Sequence, residues 1–290
     1  MPCRSLDSLK ASKSIGQRDG PGLDSGFRAH YNAGVERDRL LRGTSNLEFE
    51  RTKRILSRYL PSRPATMLDV GGGPGRYSFW LSEMGHSVHL VDILPLHIRQ
   101  AREFQRKSKN QLSSINLGDA RRLDFDGDSA NIVLLFGPLY HLVRKNERLK
   151  ALSEARRVLK PGGLLFAAAI SRFTSALDGS LRGFIRDTEF MKIIIQDLKN
   201  GQHRNPSNKP EYFTTSFFHH PKELEAEMNQ AKFKSVKVYG VTGFAWLLPR
   251  FDQMWRDPAL KARLMGILDR TELEPSMLGI SDHLLAVGKK

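Results

Sequence analysis

The stretch "MLDVGGGPGRYSFW", residues 67–80, decides the fold. An apolar, strand-like run breaks into glycines and resumes as a helix. Asp69, Gly71, Gly73 and Gly75 fall on alternate positions across that junction, where glycine permits positive φ and lets a ligand approach the backbone with no side chain in the way. An adenosine-bearing cofactor is the expectation this raises. The dinucleotide fingerprint requires a third glycine at position 76, for tight helix–strand packing beside the pyrophosphate, and position 76 is Arg. That counts against NAD or FAD.

Working outward, short apolar runs alternate with amphipathic segments. "TMLDV" is followed by a helix from Gly75 to about Met84, "SVHLVD" by a helix from Pro95 to Lys107, and "SINLGD" by "NIVLLF". A helix from Asn146 to Leu159 then leads into "GGLLFAAAIS". Strand and helix taking turns predict a mostly parallel sheet with helices on both faces, and ligands beyond the carboxyl ends of its strands. After Ser171 the rhythm lapses into helix and polar loop over residues 172–216. It returns with a helix from Pro221 to Ala231, the strand "KSVKVYGV", a helical segment around 251–270 and the last strand "HLLAVGK". Ahead of the sheet, residues 1–26 read as a mobile polar tail. Residues 27–62 read as a helical cap in which Ser45 caps the second helix and Glu48 completes a capping box. Residues 63–290 form the main domain, with 172–216 as a helical insertion.

The spacing acidic-x-Gly-x-Gly-x-Gly resembles the first motif of class I S-adenosylmethionine-dependent methyltransferases, and three further matches follow in order. Asp92 ends "HLVD" about 20 residues past the loop, where an acidic side chain accepts hydrogen bonds from ribose hydroxyls. Asp119 in "LGDA" stands where the family sets an acidic residue and a following backbone amide, here that of Ala120, against the adenine edge. "RVLKPGGLLFAAA" (157–169) looks like the helix, Pro-Gly-Gly turn and fifth strand of these enzymes. The resemblance spans residues 67–169. It implies a Rossmann-like, doubly wound α/β sheet of about seven strands, mostly parallel, with "HLLAVGK" antiparallel beside "KSVKVYGV". It further implies that the N-terminal helices and the insertion cover the open edge. S-adenosylmethionine is the implied cofactor, with Asp69, Gly71, Gly73, Gly75, Asp92, Ile93, Asp119, Ala120, Phe136 and Gly137 as its binding residues.

Methyl transfer from a sulfonium is an in-line displacement, so alignment is the main requirement and a base is needed only when the acceptor must lose a proton. The fourth strand ends in "LLFGPLYHLV" (134–143), a variant seen in small-molecule methyltransferases, and Tyr140 and His141 are the residues expected to face the acceptor. His141 reads equally as a general base or as a backbone-bonded histidine, and Tyr140 reads as a binding residue. The segment lacks the Asp/Asn-Pro-Pro-aromatic signature of amino methylation on nucleic-acid bases. One departure from the family is Asn131, which stands where this strand commonly opens on Asp.

The expected function is therefore methyl transfer to an oxygen, nitrogen or carbon of a small molecule. An RNA methyltransferase and a non-catalytic binding protein are the alternatives. The net charge of +15 motivates the RNA reading, with basic residues concentrated at 99–109 and 182–209. Composition adds an ordinary globular chain of 290 residues, 40% hydrophobic, with Cys3 as its one cysteine, so a disulfide framework within the chain is excluded. No run reaches the roughly 20 apolar residues of a membrane helix, and a cytoplasmic setting is expected. His203, His219 and His220 lack carboxylates at ligand spacing, so no metal is expected. The apolar segment "GFAWLLPRFDQMW" (243–255) reads as helix packing or as a pocket wall. Tyr31, Glu36 and Arg39 are expected on the covering helix.

Overall fold

The computed structural model describes residues 39–40 and 43–290. The expected tail, Cys3, Tyr31 and Glu36 lie outside the described residues. Helix α1 spans Gly43–Ser57 and therefore starts before Ser45, which lies inside the helix instead of at its cap. Glu48 closes no capping box; its carboxylate accepts a hydrogen bond from the Arg39 guanidinium at 2.6 Å.

The sheet follows in the expected alternation. Strand β1 (Thr66–Val70) leads to α2 (Arg76–Glu83), β2 (Ser87–Asp92) to α3 (Pro95–Lys107), and β3 (Ser114–Leu117) to β4 (Ala130–Leu135). A short helix α4 (Pro138–His141) and the longer α5 (Lys145–Val158) precede β5 (Leu159–Ser171). The insertion contributes α6 (Thr174–Leu181), α7 (Thr188–Asn200), β6 (Gln202–His203) and β7 (Ser216–His219). The chain closes with α8 (Pro221–Gln230), β8 (Lys234–Gly240), α9 (Phe251–Arg256), α10 (Pro258–Thr271) and β9 (His283–Lys289).

Strands run in the order β3-β2-β1-β4-β5, all parallel, and β9 pairs antiparallel with both β5 and β8. The expected antiparallel pairing of "KSVKVYGV" with "HLLAVGK" is thus present. The small antiparallel pair β6–β7 was missed in a region read as helix and loop. Burial on both faces explains the unbroken apolar runs: Leu68, Val70, Val133 and Leu135 pack into one core, and Met67, Ile132, Leu134 and Phe166 into the other. Asn131 serves at the opening end of β4, where its side-chain oxygen accepts a hydrogen bond from the Thr66 amide of β1 at 3.0 Å. An acceptor is all that contact needs, so Asn replaces Asp there without disturbing the pairing. Arg76, the residue that broke the dinucleotide pattern, lays its guanidinium 4.9 Å from the centre of the Phe104 ring on α3.

Two buried arginines fasten the outer elements. Arg51 on α1 donates to the Val241 carbonyl at 3.2 Å and to the carboxylates of Asp269 and Glu272, which binds the cap helix to α10 and the end of β8. Arg148 on α5 clamps Glu227 of α8 and donates to the carbonyls of Leu142 and Val143 at 3.1 and 2.9 Å. Its guanidinium lies 3.5 Å from the centre of the Phe217 ring. The residues 142 and 143 that it holds directly follow α4, so this cluster sets the course of the chain past the end of β4.

Candidate functional site

Strand order reverses direction between β1 and β4, and in open α/β sheets that is where a crevice opens beyond the carboxyl ends. A cavity of about 740 Å³ lies there. The glycine loop forms its floor. Gly71 has φ +79°, and a Cβ there would come within 2.5 Å of the Phe136 carbonyl oxygen; Gly73 has φ +56° and faces open space, with the His97 ring atom 3.9 Å away. One glycine therefore packs β1 against β4 and the other leaves a cradle that a side chain would narrow.

Asp92 stands on the wall. Its carboxylate accepts from the amides of Gly73 and Leu94, both at 2.9 Å, and lies 3.1 Å from His97 Nδ1. A carboxylate offers about four acceptor positions, so these contacts aim the group while leaving room for a further donor. Ile93, Asp119, Ala120 and Gly137 also line this cavity. Asp119 lies just past β3, and its carboxylate is held by the Arg121 side chain, at 2.6 Å from one guanidinium nitrogen. Burial opposes ionisation of Asp119, but the hydrogen bonds and charge of Arg121 hold its carboxyl below the usual range. Glu147 steadies the same arginine at 2.7 Å. Arg121 and His97 were not singled out in the sequence; the only local signal for either is its place near an expected acidic residue.

A second cavity, of about 700 Å³, adjoins the first, and Gly71, Gly73 and Tyr140 line both. Its other walls come from distant parts of the chain: Arg39, Glu48 and Thr52 at the N-terminal side, Tyr77 on α2, Val241 after β8, and His283 to Leu285 on β9. His283 Nδ1 lies 3.1 Å from Asp282 Oδ1, and its Nε2 lies 3.7 Å from Glu48 Oε2. Burial disfavours the charged ring, yet Glu48 and Asp282 outweigh it and the imidazole is pushed up to about 9. The same contact works in reverse on Glu48: burial raises its carboxyl, and Arg39 with His283 brings it below the ordinary carboxylate range.

Several expected residues take other places. Asp69 is fully buried beneath the loop, accepts a hydrogen bond from Ser78 Oγ at 2.6 Å and lines neither cavity. Burial pushes its carboxyl up to about 6, and it packs against Gly72, where a Cβ would meet its oxygen at 2.6 Å. Gly75 also lines neither cavity; its missing side chain lets Leu90 and Phe79 approach to 3.0 Å of where a Cβ would stand. Phe136 lines the second cavity alone. Tyr140 and His141 are ring neighbours with centroids 4.6 Å apart, but His141 lines only the first cavity. The insertion 172–216 contributes no lining residue to either cavity and instead touches the chain behind α4, where Gln202 donates to the Val143 carbonyl at 3.1 Å.

Within "GFAWLLPRFDQMW", Ala245 and Phe251 pack with Leu47 of α1 and Leu264 of α10, so the packing reading holds for that segment. The three histidines have structural partners: His203 with Asp197, His219 with Glu227, and His220 as the cap of α8. Among the described residues no group of three or more His, Cys, Asp or Glu is arranged to hold a metal. No helix among them is long and apolar enough to cross a membrane.

Comparison with known proteins agrees with this architecture. Residues 68–167 match the family described as "Methyltransferase domain". The ubiquinone/menaquinone biosynthesis C-methyltransferase UbiE of Acidiphilium cryptum is 32% identical over 198 residues, which cover 66% of this chain and 75% of that protein. The enzyme of the same name from Neisseria meningitidis serogroup C is 28% identical over 183 residues, covering 61% and 69%. A crystal structure of an S-adenosylmethionine-dependent methyltransferase from Methanosarcina mazei superposes with a TM-score of 0.54 at 20% identity, covering 81% of this chain and 96% of that one. The chain belongs to the class I S-adenosylmethionine-dependent methyltransferases.

Proposed function

We propose that the first cavity holds S-adenosylmethionine and the second its small-molecule acceptor, so that methyl transfer takes place where the two meet. One observation carries this reading: the cavities share Gly71, Gly73 and Tyr140, a junction that no side chain beyond Cα obstructs at the two glycines. Gly71 and Gly73 cradle the methionine part, Asp92 accepts from the ribose, and Ile93 with the Asp119–Ala120 turn flanks the adenine. Gly137 lets the chain pass close at the reacting end. The bound cofactor supplies an electrophilic methyl carbon on sulfur. The protein's part is alignment, exclusion of water by Arg39, Leu40 and α1, and a fixed course for Tyr140 toward the acceptor.

The named relatives are C-methyltransferases of ubiquinone/menaquinone biosynthesis. For this chain we propose an oxygen, nitrogen or carbon of a partly apolar small molecule. Incubation with methyl-labelled S-adenosylmethionine and fractionated small metabolites tests it: label should pass to a small molecule with equimolar S-adenosylhomocysteine. Label in RNA with a steep salt dependence points instead to the nucleic-acid reading, and absence of any S-adenosylhomocysteine to a binding protein.

A further inference from the structure

The acceptor cavity holds a polar cluster that alignment alone does not require. Apolar and aromatic residues, Leu40, Phe136, Ala168 and Leu285 among them, share its walls with Arg39, Thr52 and Arg76. Glu48 and His283 enter from opposite ends of the chain, one from α1 and one from the first position of β9. Each is fixed from behind. Arg39 holds the Glu48 carboxylate at 2.6 Å, and Asp282 lies 3.1 Å from His283 Nδ1 while itself accepting from the Thr242 hydroxyl. The Glu48 Oε2 that Arg39 holds also faces the ring Nε2 of His283 at 3.7 Å, too far for a hydrogen bond between the two, and a carboxylate oxygen has a second lone pair for a further donor.

We propose that Glu48 and His283 form the polar anchor of the acceptor site and select an acceptor carrying a hydroxyl on an apolar, ring-sized body. A hydroxyl both donates and accepts. Set against this pair, it donates to Glu48 Oε2 and accepts from the Nε2–H of the protonated His283. A methyl ether offers no proton to Glu48, and a bare hydrocarbon meets neither the remaining acceptor capacity of Glu48 nor the Nε2–H of His283. Beyond the anchor, Leu40, Phe136, Ala168 and Leu285 offer apolar surface to the body of such an acceptor. The inference rests on the methyl-transfer reading, since it assigns the second cavity to the acceptor.

The test uses the full chain saturated with S-adenosylhomocysteine, titrated with 2-naphthol, 2-methoxynaphthalene and naphthalene as probes. The naphthol should bind at least about tenfold more tightly than either analogue, the factor expected for a hydrogen bond to a charged group. His283→Leu and Glu48→Gln should each erase that preference while S-adenosylhomocysteine affinity stays near wild type. Equal binding of naphthol and its methyl ether, no naphthol binding at millimolar concentration, or a preference that survives both substitutions overturns the anchor. Because the preference in wild-type protein needs no variant, a substitution that unfolds the chain leaves that arm decisive. Failure of the wild-type chain to bind S-adenosylhomocysteine would strike the methyl-transfer reading instead, and it is measured first.

Discussion

The two cavities meet at one loop yet are built in opposite ways. The first cavity, proposed for the cofactor, is assembled from backbone turns at the ends of adjacent strands: Gly71 and Gly73 after β1, Asp92 and Ile93 at β2, Asp119 and Ala120 after β3, Gly137 after β4. The second, proposed for the acceptor, is assembled from side chains separated by up to the length of the described chain, from Arg39 to Leu285. A backbone site tolerates little change because its geometry is the fold itself. A side-chain site can be rebuilt residue by residue, and specificity can diverge there while the cofactor side stays fixed.

The largest effect is expected behind α4, at the buried ion pair that holds the chain leaving the first cavity. Arg148 and Glu227 are both almost fully buried, and the arginine holds the Leu142 and Val143 carbonyls behind α4. Arg148→Met strands the Glu227 carboxylate in the interior and should cost about 3–5 kcal/mol in denaturant unfolding. Adding Glu227→Gln should restore part of that loss, because the buried charge is gone; no recovery would show that packing on Phe217, not charge, governs the cluster. Glu227 also predicts acid behaviour. Burial raises its carboxyl, but the hydrogen bonds of His219 and Arg148 win and hold it at about 2. A depressed folded-state value means the stabilisation is full above the ordinary 4.5 and is lost as the pH falls toward 2. Unfolding free energies between pH 6 and pH 3 should decline accordingly, and the Arg148→Met/Glu227→Gln protein should show a flatter profile.

Next comes the glycine floor. In Gly71→Ala the new Cβ meets a carbonyl oxygen at 2.5 Å and the residue keeps φ +79°. Calorimetry should show S-adenosylhomocysteine binding weakened on the order of 100-fold, the equivalent of about 3 kcal/mol of strain and displacement. Gly85→Ala is the matched control, since φ is +88° there with nothing within 4 Å of the added atom. It should cost only about 1–2 kcal/mol of stability and leave binding unchanged. Similar binding losses in both variants would mean that backbone strain, not the close packing of the loop on the end of β4, sets affinity.

The same contrast explains what could be read in the chain beforehand. The sheet and the lining of the first cavity are legible because each contribution is local: an apolar run, then a glycine or acidic residue at its end. Asp69 and Gly75 sit on the same alternate positions as Gly71 and Gly73 but line neither cavity, and spacing cannot tell a residue that lines a cavity from one that packs beneath the loop. Glu48 was read as a capping-box partner, a local role, whereas its partners are Arg39 and His283; His283 itself drew no notice at the start of an ordinary last strand. Their meeting depends on β9 inserting between β5 and β8, and on Arg51 docking α1 against the end of β8. Long-range placement of that kind leaves no periodicity to detect.

Asp92 offers an intermediate effect on the legible side. Asp92→Ala removes the acceptor of the Gly73 and Leu94 amides together with any hydrogen bond to the ribose. A charged hydrogen bond is worth about 1.5–3 kcal/mol, so S-adenosylhomocysteine affinity should fall roughly 10- to 100-fold. Asp92→Asn keeps one acceptor oxygen and should fall less. Unchanged affinity in Asp92→Ala would remove the residue from the cofactor site and with it the strongest sequence match after the glycines.

The smallest effect is on the acceptor side and is read by titration. His283 is faced by Glu48 and Asp282, which favour its proton, and by Arg39, which opposes it; burial also opposes it, and the carboxylates prevail to bring it up to about 9. A raised folded-state value means the charged ring contributes stability fully below its ordinary 6.5, and that contribution is lost as the pH rises through 9. Proton NMR of the imidazole should place its midpoint near 9, well apart from His219, whose burial lowers its value. Glu48→Gln removes the first of the two carboxylates and should draw the midpoint down. A midpoint near 6.5 in the wild-type chain would mean that water reaches the ring freely and that the acceptor cavity is more open than the packed walls imply. An upward shift that survives Glu48→Gln would assign the charge to Asp282 alone, leaving Glu48 as the partner of Arg39 and the side chain across the cavity as the sole donor to an acceptor.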